Sequence, residues 1–264
     1  MHPSPVYYSA TGITASSLAD ADYSNGYLET MRCQGGAFSL WTYHRDRLQR
    51  CSGINEATIK RIEAGLAQIG VAVSAWRNGA RVRLRYGSVE EIPHWDLSAF
   101  PLERETPWSG GVTLYPCATH LVSGSASESG CKRLDRAAYE KASAELHGRA
   151  ADWEGLLLDT SGALVETLRC NLLMYRDGQW WTPDLARCGV RGVMRSWLQD
   201  RIQLGETELR LCDLHTAEEL ALCNSVRGVI PVTSVFDSDW IPRKDFGSES
   251  PVTQLQRLVA QELW

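Results

Sequence analysis

Apolar positions change period several times along this chain, and each change marks an element. In NEATIKRIEAGLAQIG (residues 55–70), Ile59, Ile62, Leu66 and Ile69 recur every three or four residues behind Asn55, a side chain suited to capping a helix. The spacing predicts a helix from just after residue 55 to near Gly70. ARVRLRYG (residues 80–87) alternates instead, with Val82, Leu84 and Tyr86 on one side and Arg81, Arg83 and Arg85 on the other, as in a strand. EGLLLDTSGALVETLRCNLLMYRDGQWWTP (residues 154–183) reads as a meander of three or four short strands turning at Ser161-Gly162 and Asp177-Gly178. Helical stretches are predicted at GVMRSWLQDRIQL, at TAEEL, where Thr216 and Glu219 have capping-box spacing, and at SPVTQLQRLVAQEL, with Ser250 as cap and Pro251 in the first turn.

The stretch SGCKRLDRAAYEKASAEL (residues 129–146) also reads as the entry to an amphipathic helix, with Leu134, Ala138, Ala142 and Leu146 along one side. Its first turn carries the wrong charge. The positive end of a helix dipole favours acids, yet Lys132, Arg133 and Arg136 crowd it and only Asp135 suits it. Such a local conflict is the kind that a functional site tolerates.

The Pro-, Gly- and charge-rich stretch PLERETPWSGG (residues 101–111) sets a domain boundary, giving a smaller α/β domain at 1–105 and a larger one at 106–264 that carries Lys132. With 44% hydrophobic and 22% charged residues, and ten tryptophans, the chain has the composition of a folded enzyme rather than of a disordered protein. A net charge of -5 gives no general attraction to nucleic acid or to an anionic membrane, so any anion must be held locally. The N-terminal residues show neither a basic leader nor a long apolar run, and no membrane span is expected, so the protein is read as cytoplasmic. The eight cysteines include no C-x-x-C pair, and we expect reduced, mostly buried thiols and no metal site.

Three features bear on chemistry. In RCGVRGVMRSW, Gly189 precedes a helical pattern beginning near Arg191 or Gly192, a geometry that either holds a phosphate on backbone N–H groups or merely ends a loop. CNSVRG (residues 223–228), following what reads as an apolar helix, is a second polar turn, and Arg47 could add a charge-assisted bond to the same anion. Glu166 lies on a strand between apolar neighbours. It either faces solvent or requires a cation, which a pyridinium nitrogen would supply; with a lysine and an anchored phosphate this would make a pyridoxal phosphate site. The basic face of Arg81, Arg83 and Arg85 is either solvated or a contact to an acidic substrate.

Taken in order, GYLETMR, HRDRLQRC, GCKRLDR, ALVETLRCNLLMY, TPDLARCGVRGVMR and CNSVRGVIPV resemble the class IV aminotransferase family over residues ~20 to ~235. The resemblance implies an α+β, two-domain, fold-type IV pyridoxal phosphate enzyme like D-amino acid aminotransferase. It implies that Lys132 binds the cofactor covalently, that Glu166 pairs with its ring nitrogen and that Arg47 holds its phosphate. Val190 and Arg191 match the backbone donors to that phosphate, Asn224 and Ser225 the second phosphate turn, and Asn171 a supporting position near the cofactor.

Glu29-Thr30 matches the glutamate-threonine of the family's lyases rather than the glutamate-glycine of branched-chain aminotransferases. The resemblance thus implies conversion of 4-amino-4-deoxychorismate to 4-aminobenzoate and pyruvate, with Lys132 as base and Thr30 protonating the leaving enol. The alternative within the family is amino transfer on D-amino or branched-chain acids. Ser24-Asn25-Gly26 and the short RYGSVEEIPHW depart from the lyase pattern, both on the substrate side. A homodimer acting on a small molecule is implied, with no nucleic acid or membrane partner.

Overall fold

A computed structural model describes residues 3–9, 12–18, 23–90, 92–124, 129–237 and 249–264. Contacts divide the chain into two units: Met1–Arg104 with Cys131–Asp135, and Glu105–Gly130 with Arg136–Trp264. Both mix helices with sheets, as α+β requires.

In the first unit, β1 (Val6–Ser9), β2 (Gly12–Thr14), β3 (Ser24–Cys33), β4 (Ala80–Val89) and β5 (Ile92–Pro101) form one sheet, in the order β2-β1-β5-β4-β3. Its four pairings are all antiparallel. Between β3 and β4 come α1 (Trp41–Ser52) and α2 (Glu56–Val73). Helix α2 starts where the sequence indicates, since the Asn55 side chain accepts the Thr58 N–H at 2.9 Å, and it runs three residues past Gly70. Its stripe of Ile59, Ile62, Leu66 and Ile69 is buried with Met31, Val82, Leu84 and Leu97 of the sheet. Burying each such side chain contributes roughly 1.5–3 kcal/mol, and Val82 and Leu84 are the apolar face foreseen for β4.

The second unit holds β6 (Val112–Leu121), α3 (Ala137–Ala144), β7 (Trp153–Asp159), β8 (Leu164–Thr167), β9 (Asn171–Arg176), β10 (Gln179–Pro183), α4 (Val193–Gln199), β11 (Leu204–Thr207), β12 (Glu219–Asn224), β13 (Gly228–Val235) and α5 (Pro251–Glu262). Its eight strands lie in the order β11-β10-β9-β12-β13-β6-β7-β8. The turns at Gly162 and at Asp177-Gly178 form as expected, with positive φ at all three residues. The expected meander is instead two hairpins, because β9 pairs with β10 and β12 while β8 pairs with β7. Strand β7 is buried on both faces. Leu156 and Leu158 face the cluster of Leu172, Met174, Leu220 and Ile230, and Leu157 faces Ala142 of α3 together with Val165 and Leu168.

TAEEL is not helical. Leu211–Thr216 forms a short 3-10 turn, and Glu219 opens β12, where its carboxylate accepts from the Ser250 hydroxyl (2.8 Å) and the Val252 N–H (2.9 Å). Long-range strand pairing and the cap of α5 outweigh the local capping-box pattern. The turn at 223–228 accordingly follows a strand, not a helix. Among the described residues, no helix is long and apolar enough to cross a membrane.

Candidate functional site

Within the first unit, the segment bearing Lys132 is extended. The Leu28 N–H donates to the Lys132 carbonyl (2.9 Å), the Leu134 N–H donates to the Gly26 carbonyl (2.8 Å), and Tyr27 bridges to Arg133. This backbone pairing with β3 groups residues 131–135 with the first unit, whereas the sequence boundary put Lys132 in the second domain. Helix α3 begins only at Ala137, with Arg136 at its N-cap and Glu140 as the acid of its first turn. The charge conflict read from the sequence is thereby reduced to Arg136 at the N-cap, because Lys132 and Arg133 precede the helix. Their place beside β3 brings the half-buried Lys132 Nζ to 3.4 Å from Thr30 Oγ1.

Glu29, the neighbour of Thr30, points to the opposite side of β3 and is buried. Its carboxylate accepts from Arg47 Nε (2.8 Å) and Nη2 and from His44 Nδ1 (2.6 Å). His44 and Arg47, three residues apart, lie on one face of α1. Burial alone would raise the Glu29 carboxyl, but the Arg47 guanidinium and His44 hold it down at about 2. Burial lowers His44, so its ring is neutral and donates from Nδ1. Arg47 is thus buried in a pair with Glu29 that uses part of its several N–H donors. Sequence reasoning missed this cluster; its signal was a glutamate between Leu28 and Met31 on a strand.

The cysteines require a correction. Cys51 and Cys131, expected as thiols, form a disulfide across 80 residues of sequence. Cys33, Cys117, Cys170, Cys188 and Cys223 are free and buried, and Cys212 is free and exposed. The bond ties the end of α1, one turn beyond Arg47, to the residue next to Lys132.

The basic face of β4 divides. Arg85 makes a two-point pair with Asp96 (2.9 and 2.7 Å), and the Arg81 guanidinium lies 5.0 Å from the Phe100 ring centre. Arg83 is the register partner of Thr30.

Within the second unit, β8 buries Glu166. Its Oε1 accepts from the Tyr139 hydroxyl (2.5 Å) and the Val190 N–H (3.0 Å), and its Oε2 from Asn171 Nδ2 (3.4 Å). Asn171 Nδ2 also donates to the Val190 carbonyl at 2.9 Å, so Asn171 supports both the carboxylate and the turn beyond it. That turn depends on glycine. Gly189 has φ +89 and a Cβ there would stand 2.5 Å from Val165, while a Cβ on Gly192, the N-cap of α4, would overlap Asn171 Oδ1 at 1.8 Å.

The two amides matched to phosphate are engaged within the protein, Val190 N–H with Glu166 and Arg191 N–H with the Gly130 carbonyl at 3.1 Å. A phosphate at this turn would have to replace those acceptors. In the second turn, Asn224 Oδ1 accepts from the Val226 and Arg227 N–H groups (3.0 and 2.8 Å) and its Nδ2 donates to Cys170 Sγ. Asn224 therefore shapes the loop that carries Ser225.

These donor sets fit pyridoxal phosphate. The buried Glu166 carboxylate suits a ring cation, and the half-buried Lys132 lies beside the Thr30 hydroxyl. Among the described residues, no cluster of His, Cys, Asp and Glu could hold a metal.

A helix pair over an antiparallel sheet in one unit and a mixed eight-stranded sheet in the other agree with the family that the sequence resembles. The chain matches the amino-transferase class IV family over residues 26–235 and belongs to it. It is 26% identical over 233 residues to aminodeoxychorismate lyase of Vibrio harveyi, covering 81% of this chain and 84% of that one. Among solved structures it is similar to 4-amino-4-deoxychorismate lyase from Pseudomonas aeruginosa, with TM-score 0.81 and 26% identity over 97% of this chain and 99% of that one. It also shares its fold with the PLP-bound form of a hypothetical aminotransferase from Mycobacterium tuberculosis, with TM-score 0.80 and 18% identity over 98% of each chain.

Proposed function

We propose that this protein is a pyridoxal phosphate enzyme converting 4-amino-4-deoxychorismate to 4-aminobenzoate and pyruvate, a step of folate biosynthesis. The observation that carries the proposal is the approach of Thr30 Oγ1 to Lys132 Nζ at 3.4 Å. The two named lyase relatives support it. When bound, the cofactor withdraws electrons from the carbon that carries the substrate nitrogen. Lys132 would hold it covalently, Glu166 would pair with its ring nitrogen, and Arg47 and Ser225 would take its phosphate.

The amine of Lys132, in its neutral form, removes the proton from that carbon. The bond to the enolpyruvyl oxygen then breaks and the ring becomes aromatic. Lys132, now protonated, lies within reach of Thr30, whose hydroxyl passes a proton to the departing enol and recovers one from the lysine. One proton leaves the ring and one reaches the three-carbon product, so no oxidant or second substrate is needed. A homodimer is part of the proposal, and sedimentation of the holoenzyme is its check.

Thr30→Val keeps the shape of the side chain and removes its hydroxyl. A lyase should lose about 10²-fold or more in turnover, the usual scale for a positioned proton donor, with cofactor affinity and spectrum unchanged. Amino transfer on D-amino or branched-chain acids has no leaving enol and should be indifferent to the change. Unaltered pyruvate release by the variant would remove the proposed role of Thr30.

A further inference from the structure

Tyr139 was not among the residues matched to the family's site, yet it makes a short contact to the carboxylate at its centre. Its hydroxyl donates to Glu166 Oε1 at 2.5 Å from the first turn of α3. The ring is held in turn. The Arg136 guanidinium lies 3.6 Å from its centre, a close cation–π contact, and Arg136 Nη2 donates to the Leu168 carbonyl (3.0 Å), two residues beyond Glu166. Arg136 thereby fixes the start of α3 to the turn that follows β8, and with it the distance from phenol to carboxylate.

Oε1 also accepts the Val190 N–H, so Tyr139 and Val190 together use both lone-pair directions of that oxygen. We propose that Tyr139 is a positioning residue that holds Glu166 through Oε1, with Asn171 on Oε2, in the orientation in which the carboxylate meets the cofactor's ring nitrogen, while its O–H moderates the proton affinity of the carboxylate. This rests on the pyridoxal phosphate reading given above.

The phenol suits the task. Burial and the neighbouring Glu166 push its pKa far above the ordinary tyrosine value, so it remains a donor at every working pH. The titratable groups around the carboxylate include Tyr139 itself, Arg136 over its ring, and the buried Cys188 thiol from the turn after β10, which burial and the nearby Asp159 and Glu166 push up to about 11. The Cys188 thiol does not change charge over the acidic range in which a carboxyl titrates.

The test is Tyr139→Phe, which keeps the ring and its cation–π contact and removes only the hydroxyl. Carbon-13 NMR of protein labelled at glutamate side-chain carboxyls, with Glu166 assigned by its loss in Glu166→Gln, reads the carboxyl directly without added cofactor. Losing a charge-assisted donor should move its protonation midpoint up by about one pH unit, equivalent to about 1.4 kcal/mol. The pH titration of bound pyridoxal phosphate absorption should shift in the loaded variant as well. A carboxyl midpoint that does not move overturns the proposal, since a residue that merely packs would leave it unchanged. A carboxyl that shifts while the cofactor titration stays fixed also overturns it, because Glu166 would then not face the ring. Failure of the wild-type protein to bind pyridoxal phosphate would strike the underlying reading and leave the carboxyl titration as a separate result.

Discussion

Severing the Cys51–Cys131 disulfide should cost this protein a large part of its stability. The bond closes a loop of 80 residues, running from the last turn of α1 through all of α2 and strands β4 to β6. In the chain-entropy account a loop of that length removes enough freedom from the unfolded chain to contribute about 4.5 kcal/mol. Domains are commonly stable by about 5–15 kcal/mol, so the loss is not a marginal one. Cys131 is buried, and access to a reductant is limited in the folded state, so the perturbation of choice is the Cys51→Ser/Cys131→Ser double variant. At ~2–4 °C per kcal/mol for a chain of this size, its melting temperature should fall by roughly 10 °C or more. Urea titrations followed by tryptophan fluorescence, with and without excess dithiol, should show the wild type dropping to the midpoint of the double variant and the double variant indifferent to the dithiol. Alkylation of unfolded, unreduced wild type should label six cysteines rather than eight. Eight labelled cysteines, or equal midpoints throughout, would refute the reasoning.

Lys132→Ala should abolish borohydride-stable attachment of pyridoxal phosphate and all turnover while leaving the unfolding midpoint within about 1 kcal/mol of wild type, as expected for a half-buried side chain; retained labelling would place the attachment elsewhere. Acid should destabilise the first unit through Glu29 and His44. Glu29 is held at about 2 against an ordinary 4.5, so its contribution of about 3 kcal/mol is present above pH 4.5 and is lost as the pH falls towards 2. His44 acts in the same direction, since burial keeps it neutral when folded and the unfolded chain gains its proton first as the pH falls. Urea midpoints at neutral pH and at pH 3 measure the sum, and equal values would contradict the buried cluster. Glu29→Gln leaves Arg47 buried without its carboxylate and should cost about 3–5 kcal/mol at neutral pH.

Elements whose signals are local were legible in the sequence. Helix α2 carried its cap at Asn55 and its stripe of isoleucines, β4 its strict alternation, the β9–β10 hairpin its Asp177-Gly178 turn, and α5 its Ser250-Pro251 start. The misread elements are those decided by partners distant in sequence. Leu134, Ala138, Ala142 and Leu146 keep a helical period across the true start of α3, and only pairing with β3, about a hundred residues earlier, holds Lys132 extended. TAEEL has a helix-start pattern, but β9 and β13 on either side and the Ser250 hydroxyl beneath it make Glu219 a strand residue.

The site shows the same division. Glu166 and Asn171, five residues apart, are hydrogen-bonded as their shared strand-turn-strand segment allows. The motif marks the amides of Val190 and Arg191 as donors, but their acceptors within the protein, Glu166 and Gly130, could not be read from it. The Glu29–His44–Arg47 cluster, the Tyr139 contact and the disulfide each join residues whose types are ordinary and whose meeting depends on the tertiary fold.

The central claim is that this member of the class IV aminotransferase family breaks a carbon–oxygen bond rather than transferring an amino group. Purified protein loaded with pyridoxal phosphate and mixed with excess 4-amino-4-deoxychorismate should release pyruvate and 4-aminobenzoate in equal amounts over many turnovers, with no pyridoxamine phosphate accumulating. Pyridoxamine phosphate formed without pyruvate would contradict the account.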